Sequence, residues 1–195
     1  GVKAIHLVPP DFVKGQIAAI FEDIRVDAVK IGMIANAGIA AAVAQSLQAQ
    51  TGIPIVLDPV MIAKGGEALL QSDAVNTLRD ALLPMATLLT PNLPEAAHLL
   101  GTKPAATRAE MAAQGRALCK LGPQAVLMKG GHLDGAESPD CLTTTDDVTW
   151  FEAVRTQTVN THGTGCSLSS ALAAPLAHGR TPTAATTAAK SYVAH

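Results

Sequence analysis

The sequence predicts an α/β fold in three layers, a mostly parallel central sheet with helices on both faces. Two observations carry this. Strand-like and helix-like segments alternate along the chain, and the strand-like ones are near-continuous apolar runs, the pattern of strands covered on both sides. A third observation sets the scale: 195 residues suffice for one such domain with a sizeable core, here taken as residues 1–195, and are too few for two.

Each element has a local reason. Val2–Val8 is short and β-prone. Pro10–Ile24 carries Phe12, Val13, Ile17, Ile20, Phe21 and Ile24 at helical spacing, with Pro10 suited to a first turn. Val26–Ile34 reads as a strand and Ala37–Gln50 as a helix. Ile53–Val60 is an apolar run that ends in Asp58-Pro59. Ser72 is placed to cap a helix through Leu83, and Ala86–Thr90 reads as another buried strand. A short helix from Asn92 ends at Gly101. Thr107 and Glu110 form a capping box opening a helix to about Leu121. Ala125–Lys129 is the next strand, and Asp140–Thr145 pairs with Val148–Ala153 in a hairpin turned at Asp146-Asp147. Gly163–His178 is a small-residue helix, followed by an Ala-rich helical stretch over Thr183–His195.

Composition excludes several classes of partner. Aromatic residues make up 3% of the chain, too few for stacking platforms on single-stranded nucleic acid. The formal charge of −2 and pI near 6.3 supply no basic field for a polyanion. No apolar run reaches membrane-spanning length. Cys119, Cys141 and Cys166 are odd in number and widely spaced, which suits a reducing cytoplasm rather than a disulfide framework or zinc knuckle. A small soluble ligand is the expected partner. Gly1 and His195 both read as cut ends, so a fragment is expected.

In such sheets ligands gather beyond the carboxyl ends of the strands, and the unusual residues fall there. Asn160-Thr161-His162-Gly163-Thr164-Gly165-Cys166 leads into a helix. Its two glycines let backbone N–H groups turn outward, and the helix start adds partial positive charge, together an anion hole for a phosphoryl group. The plainer alternative is a glycine turn that merely begins a helix. Cys166 falls in the first turn, a setting that favours a thiolate, so it is a candidate to take a proton from an attacking hydroxyl or hold it by a hydrogen bond. Cys119 and Cys141 are read as inert core.

Asn92 and Glu95, three apart at a helix start, face one pocket or simply cap each other; capping alone accounts for them, and a carboxylate there also suits Mg²⁺ held through water beside ATP. Lys129, before Gly130-Gly131, can reach a phosphate as a flexible point charge or point into solvent. Asp58 ends an apolar strand, a placement that is costly unless the charge is used or paired. His132 and His162 lack a second histidine at ligand spacing, and His98 reads as surface or structural.

In this order, Lys30-Ile31-Gly32-Met33, Asp58-Pro59-Val60-Met61 with Ala63, Lys64 and Gly66, Leu89-Thr90-Pro91-Asn92-Leu93-Pro94-Glu95-Ala96, Leu127-Met128-Lys129-Gly130-Gly131-His132 and the Asn160–Cys166 string resemble the ribokinase-like superfamily. The resemblance is strongest to its hydroxymethylpyrimidine/phosphomethylpyrimidine kinases of thiamine biosynthesis. It implies ATP- and Mg²⁺-dependent phosphorylation of the pyrimidine's hydroxymethyl group, then of the monophosphate. By matching motif, Gly163, Thr164, Gly165 and Cys166 would form the anion hole, with Cys166 where many superfamily members place an aspartate base. Asn92 and Glu95 would serve Mg²⁺-ATP, Lys129 the ATP phosphates and Thr158 the nucleotide. Met33 and Val60 would line the pyrimidine pocket, and a homodimer is implied.

The family's glycine-rich opening unit and its pyrimidine-binding glutamine do not lie in these 195 residues, so substrate contacts, like the N-terminal unit and C-terminal end of the fold, are expected to be missing. A pyridoxal kinase of the same fold and a non-catalytic pyrimidine-binding domain are the competing readings.

Overall fold

The computed structural model describes residues 4–61, 72–131, 133, 138–152 and 163–193. Among the described residues six strands form one sheet in the order of the chain: β1 (Val29–Ile31), β2 (Ile55–Leu57), β3 (Leu88–Leu89), β4 (Ala125–Met128), β5 (Asp140–Thr143) and β6 (Val148–Phe151). The first four are parallel, and β4–β5–β6 are antiparallel. The expected hairpin is β5–β6, its turn held by the amides of Asp146 and Asp147 donating to the Thr144 hydroxyl.

Alternate residues of the strands enter two separate cores. Ile31, Leu57, Leu89, Val126 and Met128 pack with residues of α2 (Ala37–Gln48), α4 (Leu93–Leu100) and α5 (Arg108–Cys119). Val56, Leu88, Ala125, Leu127 and Leu142 pack with α6 (Thr164–Ala177) and α7 (Pro182–Val193). Helices therefore cover both faces, but not by alternating crossovers. The connections between parallel strands cover one face, and α6 and α7 cover the other after the hairpin.

The strands are shorter than their apolar runs. Proline cannot donate to a ladder, and β2 lies between Pro54 and Pro59. Single ladder bonds nevertheless continue past the strand ends, where Asp58 N donates to Ile31 O (2.9 Å), Thr90 N to Leu57 O (2.9 Å) and Lys129 N to Pro91 O (2.9 Å). Asn92 and Lys129 also form an isolated parallel bridge. These bonds set Asp58, Thr90, Asn92 and Lys129 side by side at one edge.

Two expectations are corrected. Residues 4–8, the described part of Val2–Val8, form no strand; among the described residues no strand pairs with them, and Ile5, Leu7 and Val8 are exposed. β-propensity needs a packed partner to become a strand. The helix α1 (Pro10–Asp23) forms as expected, yet all its residues stay at least partly exposed. Phe21 packs against the core while Phe12, Ile20 and Ile24 face outward. Finally, the helix expected through Leu83 is α3 (Ser72–Thr77) followed by a π-type turn, Leu78–Leu82, and a 3₁₀ turn, Leu83–Met85. Pro84 has no N–H to continue an α-helical ladder.

The remaining helix ends follow their chemistry. Thr107 and Glu110 form the capping box of α5, and Gly101 ends α4 in the left-handed conformation with φ 65°. Gly130 has a different constraint: a Cβ there would lie 1.8 Å from the Pro139 carbonyl oxygen. Gly130→Ala should therefore cost about 3 kcal/mol in urea denaturation, from backbone displacement. Gly15→Ala should gain about 0.5–1 kcal/mol, since Gly15 sits within α1 and a Cβ there meets nothing within 4 Å. Equal effects at the two sites would contradict the Gly130–Pro139 packing.

Candidate active site

The strand-end edge is organised around one buried carboxylate. Asp58 is 1% exposed, and a charge so placed needs donors on its lone pairs. Three elements supply them. Lys129 Nζ lies 2.9 Å from Asp58 Oδ1, the Thr90 hydroxyl donates to the same oxygen at 3.1 Å, and the Ser169 hydroxyl reaches Oδ2 at 3.1 Å. The sequence-level requirement that Asp58 be paired is met by a lysine 71 residues away.

Ser169 ties this cluster to α6. Its hydroxyl also lies 3.0 Å from the Cys166 carbonyl oxygen, so the first turn of α6 is anchored over the Asp58–Lys129 pair. The approach is close: a Cβ at Gly165 would lie 3.2 Å from Lys129 Nζ. Gly163 is the N-cap, left-handed at φ 79° and with no side chain to cap the helix. The first intrahelical bond runs from Ser167 N to Gly163 O, which leaves the amides of Gly165 and Cys166 without an intrahelical acceptor. Gly163, Thr164 and Cys166 are exposed and Gly165 is half-buried. A lysine ammonium and a helix start thus share one side of the edge, an arrangement suited to an anion.

Asn92 and Glu95 form the full capping box of α4. Asn92 Oδ1 accepts from Glu95 N at 2.8 Å, and Glu95 Oε2 accepts from Asn92 N at 2.8 Å. The capping alternative is therefore realised, and Glu95 is also buried, at 5% exposure. Burial pushes its pKa up from 4.5 to about 7; Lys129 and the Asn92 amide pull it down, Asp58 raises it, and the Met61 amide lowers it. The carboxylates of Asp58 and Glu95 thus both feel Lys129. Among the described residues no group of three or more His, Cys, Asp or Glu side chains is arranged to hold a metal directly. Two hard carboxylates at one edge suit Mg²⁺ held through water rather than in a protein cage.

Met33 lies just beyond β1, 42% exposed, and Val60 just beyond β2, half-buried, with its amide bonded to Asp58 O at 2.8 Å. Both belong to the edge that carries Asp58. Thr158 lies outside the described residues, as do His132, His162, Asn160, Thr161, Ala63, Lys64 and Gly66. His98 is exposed, and Cys119 and Cys141 are buried, as read. Sequence reasoning placed Thr90 at this edge without its bond to Asp58, and missed Ser169. Thr90 had a signal, a hydroxyl ending an apolar strand; Ser169 had none beyond its place in a small-residue helix.

The three layers and the glycine-started helix over the strand ends define an α/β protein of the ribokinase-like class. The comparisons then specify it: the chain belongs to the phosphomethylpyrimidine kinase family, whose sequence profile matches residues 1–195. It is 53% identical over 174 residues to the hydroxymethylpyrimidine/phosphomethylpyrimidine kinase of Salmonella typhimurium, covering 89% of this chain and 65% of that protein. The chain thus spans just under two thirds of that relative's length. The crystal structure of the phosphomethylpyrimidine kinase of Clostridium difficile 630 superimposes with a TM-score of 0.86 at 38% identity, over 100% of this chain and 79% of that one. An ADP complex of Bacillus subtilis pyridoxal kinase superimposes with a TM-score of 0.89 at 33% identity, over 96% and 71%.

The Glu95 shift has a testable sign. An acid whose folded pKa lies above its unfolded one keeps its proton longer in the folded state, so its contribution to stability declines as pH rises from 4.5 towards 7. In metal-free buffer, Glu95→Gln should therefore gain stability relative to the unsubstituted protein between pH 5 and pH 8, read from urea midpoints. Parallel pH profiles for the two proteins would mean that burial does not shift Glu95.

Proposed function

We propose that this chain carries the ATP-dependent phosphorylation of 4-amino-5-hydroxymethyl-2-methylpyrimidine and of its monophosphate, in thiamine biosynthesis. The observation that carries the reading is the glycine-started helix α6, whose N-cap Gly163 has no side chain, beside Lys129 Nζ at the carboxyl ends of the parallel strands. Family membership supplies the substrate class.

In this reading the amides of Gly163, Thr164, Gly165 and Cys166 form the anion hole. They receive charge that spreads over the phosphoryl oxygens as the pyrimidine hydroxyl oxygen bonds to the γ-phosphorus and the bond to the ADP oxygen breaks. Lys129 contributes positive charge to the ATP phosphates, and Asp58 fixes where that ammonium sits. Cys166 Sγ takes the hydroxyl proton or orients it by a hydrogen bond. Met33 and Val60 line the pyrimidine pocket, and Thr158 approaches the nucleotide. Bound Mg²⁺ would supply neutralisation of phosphate charge; Glu95, fixed by Asn92, is the side chain that would hold it through water. One domain over 1–195, a cytoplasmic setting and a homodimer go with this reading. The setting is supported by three cysteines that are all free thiols, and the dimer rests on the family resemblance.

A second reading, phosphorylation of pyridoxal, is favoured by the likeness to pyridoxal kinase structures. A coupled ADP-release assay with each alcohol separates the two. Faster turnover of the pyrimidine supports the proposal, and a wide margin for pyridoxal overturns it. Pyrimidine binding in calorimetry without ATP turnover would instead indicate a non-catalytic binding domain.

Cys166→Ala should lower kcat by roughly 10²–10⁴-fold, the usual size of a lost acid–base group, while leaving nucleotide affinity within about twofold because that affinity rests on amides and Lys129. Single-turnover kinetics and ADP titration check both. Unaltered kcat would remove the proton role and leave the anion hole standing.

A further inference from the structure

A second buried ion pair lies one residue from Lys129. Asp140, at the start of β5 and 8% exposed, accepts from the Gly130 amide through Oδ1 at 3.0 Å and from Lys190 Nζ of α7 through Oδ2. The Lys190 side chain is itself only 21% exposed. The preceding amide, Lys129 N, is held by Pro91 O at 2.9 Å. Just after them the Gly130 backbone packs so closely on Pro139 that no side chain fits. The backbone that carries the Lys129 side chain is therefore gripped from β3's exit on one side and from β5 and α7 on the other.

We propose that the Asp140–Lys190 pair is a positioning device for the nucleotide-binding edge, holding the Gly130 amide and thereby the reach of Lys129. This rests on the reading of Lys129 as a contact of the ATP phosphates. Lys190 is needed because a buried carboxylate without a counter-ion is strongly unfavourable. Without that lysine, Asp140 turns towards water, and its grip on the Gly130 amide weakens. Neither residue touches substrate. Their effect passes through the Lys129-Gly130 peptide to the phosphates.

The test uses Lys190→Met, with Lys190→Gln as a milder variant should the first fold poorly and Lys190→Arg as the conservative rescue. Hydrogen exchange of the Gly130 amide, followed without substrates, should quicken in the Met and Gln variants and return in the Arg variant. KM for ATP should rise about tenfold in the Met variant, with KM for the alcohol and kcat within about twofold.

A merely structural role would reduce the number of active molecules, lowering apparent kcat and leaving both KM values alone. That pattern overturns the proposal, as does unchanged Gly130 exchange. If the unsubstituted protein turns over neither alcohol, the kinase reading fails, and the nucleotide half of the proposal with it. Normal turnover together with an unaffected Gly130 amide sinks the positioning device alone.

Discussion

A carboxylate with almost no contact with water governs the business edge of this protein. Asp58 is tolerable at the end of an apolar strand because donors from β3's exit, β4's exit and α6 converge on it. The dependence runs both ways. Lys129 would have no fixed position without Asp58, and α6 would lose a polar anchor through Ser169 to the sheet. Removing the carboxylate would leave a largely buried ammonium unpaired, a change that costs about 3–5 kcal/mol where it has been measured. Such a cluster is held together by mutual need, and it brings a strand end and a helix more than a hundred residues apart in sequence into one geometry.

The electrostatics of the edge follow from the same crowding. Two carboxylates, Asp58 and Glu95, share one lysine, and burial lifts Glu95 to a pKa of about 7. The capping box does not resolve this tension, because it satisfies one oxygen of Glu95 and leaves the group in a low-dielectric setting. A divalent cation reached through water would relieve the excess negative charge. In the proposed reading the same residues thus serve as a helix cap and a metal-responsive site.

Much of this was legible in the sequence where the signal is local. The capping boxes at Asn92 and Thr107, the helix end at Gly101, the hairpin at Asp146-Asp147 and the glycine start of α6 each rest on a few adjacent residues, and each is present. Strand lengths were overread because apolar runs do not reveal where a partner strand stops. The segment before Pro9 was overread for the same reason: it has β-prone residues, and no described strand pairs with it. Asp58 announced that it needed a partner, but its identity depended on which strand ends the sheet brought together. Ser169 was invisible for a related reason: a serine in a small-residue helix looks like packing until the helix is docked on the sheet.

The two cores carry an implication for how this chain tolerates change. Val56 and Leu57 are adjacent in sequence but belong to opposite layers, so a substitution at one is felt by helices the other never meets. Compensation for an altered Val56 should come from Leu172, Leu176 or Ala189, and for an altered Leu57 from Ala40, Ala44 or Leu93. Drift in the two layers is decoupled across the thickness of a single strand. Covariation among descendants of this chain should therefore sort by odd and even position along β2 rather than by distance along the sequence.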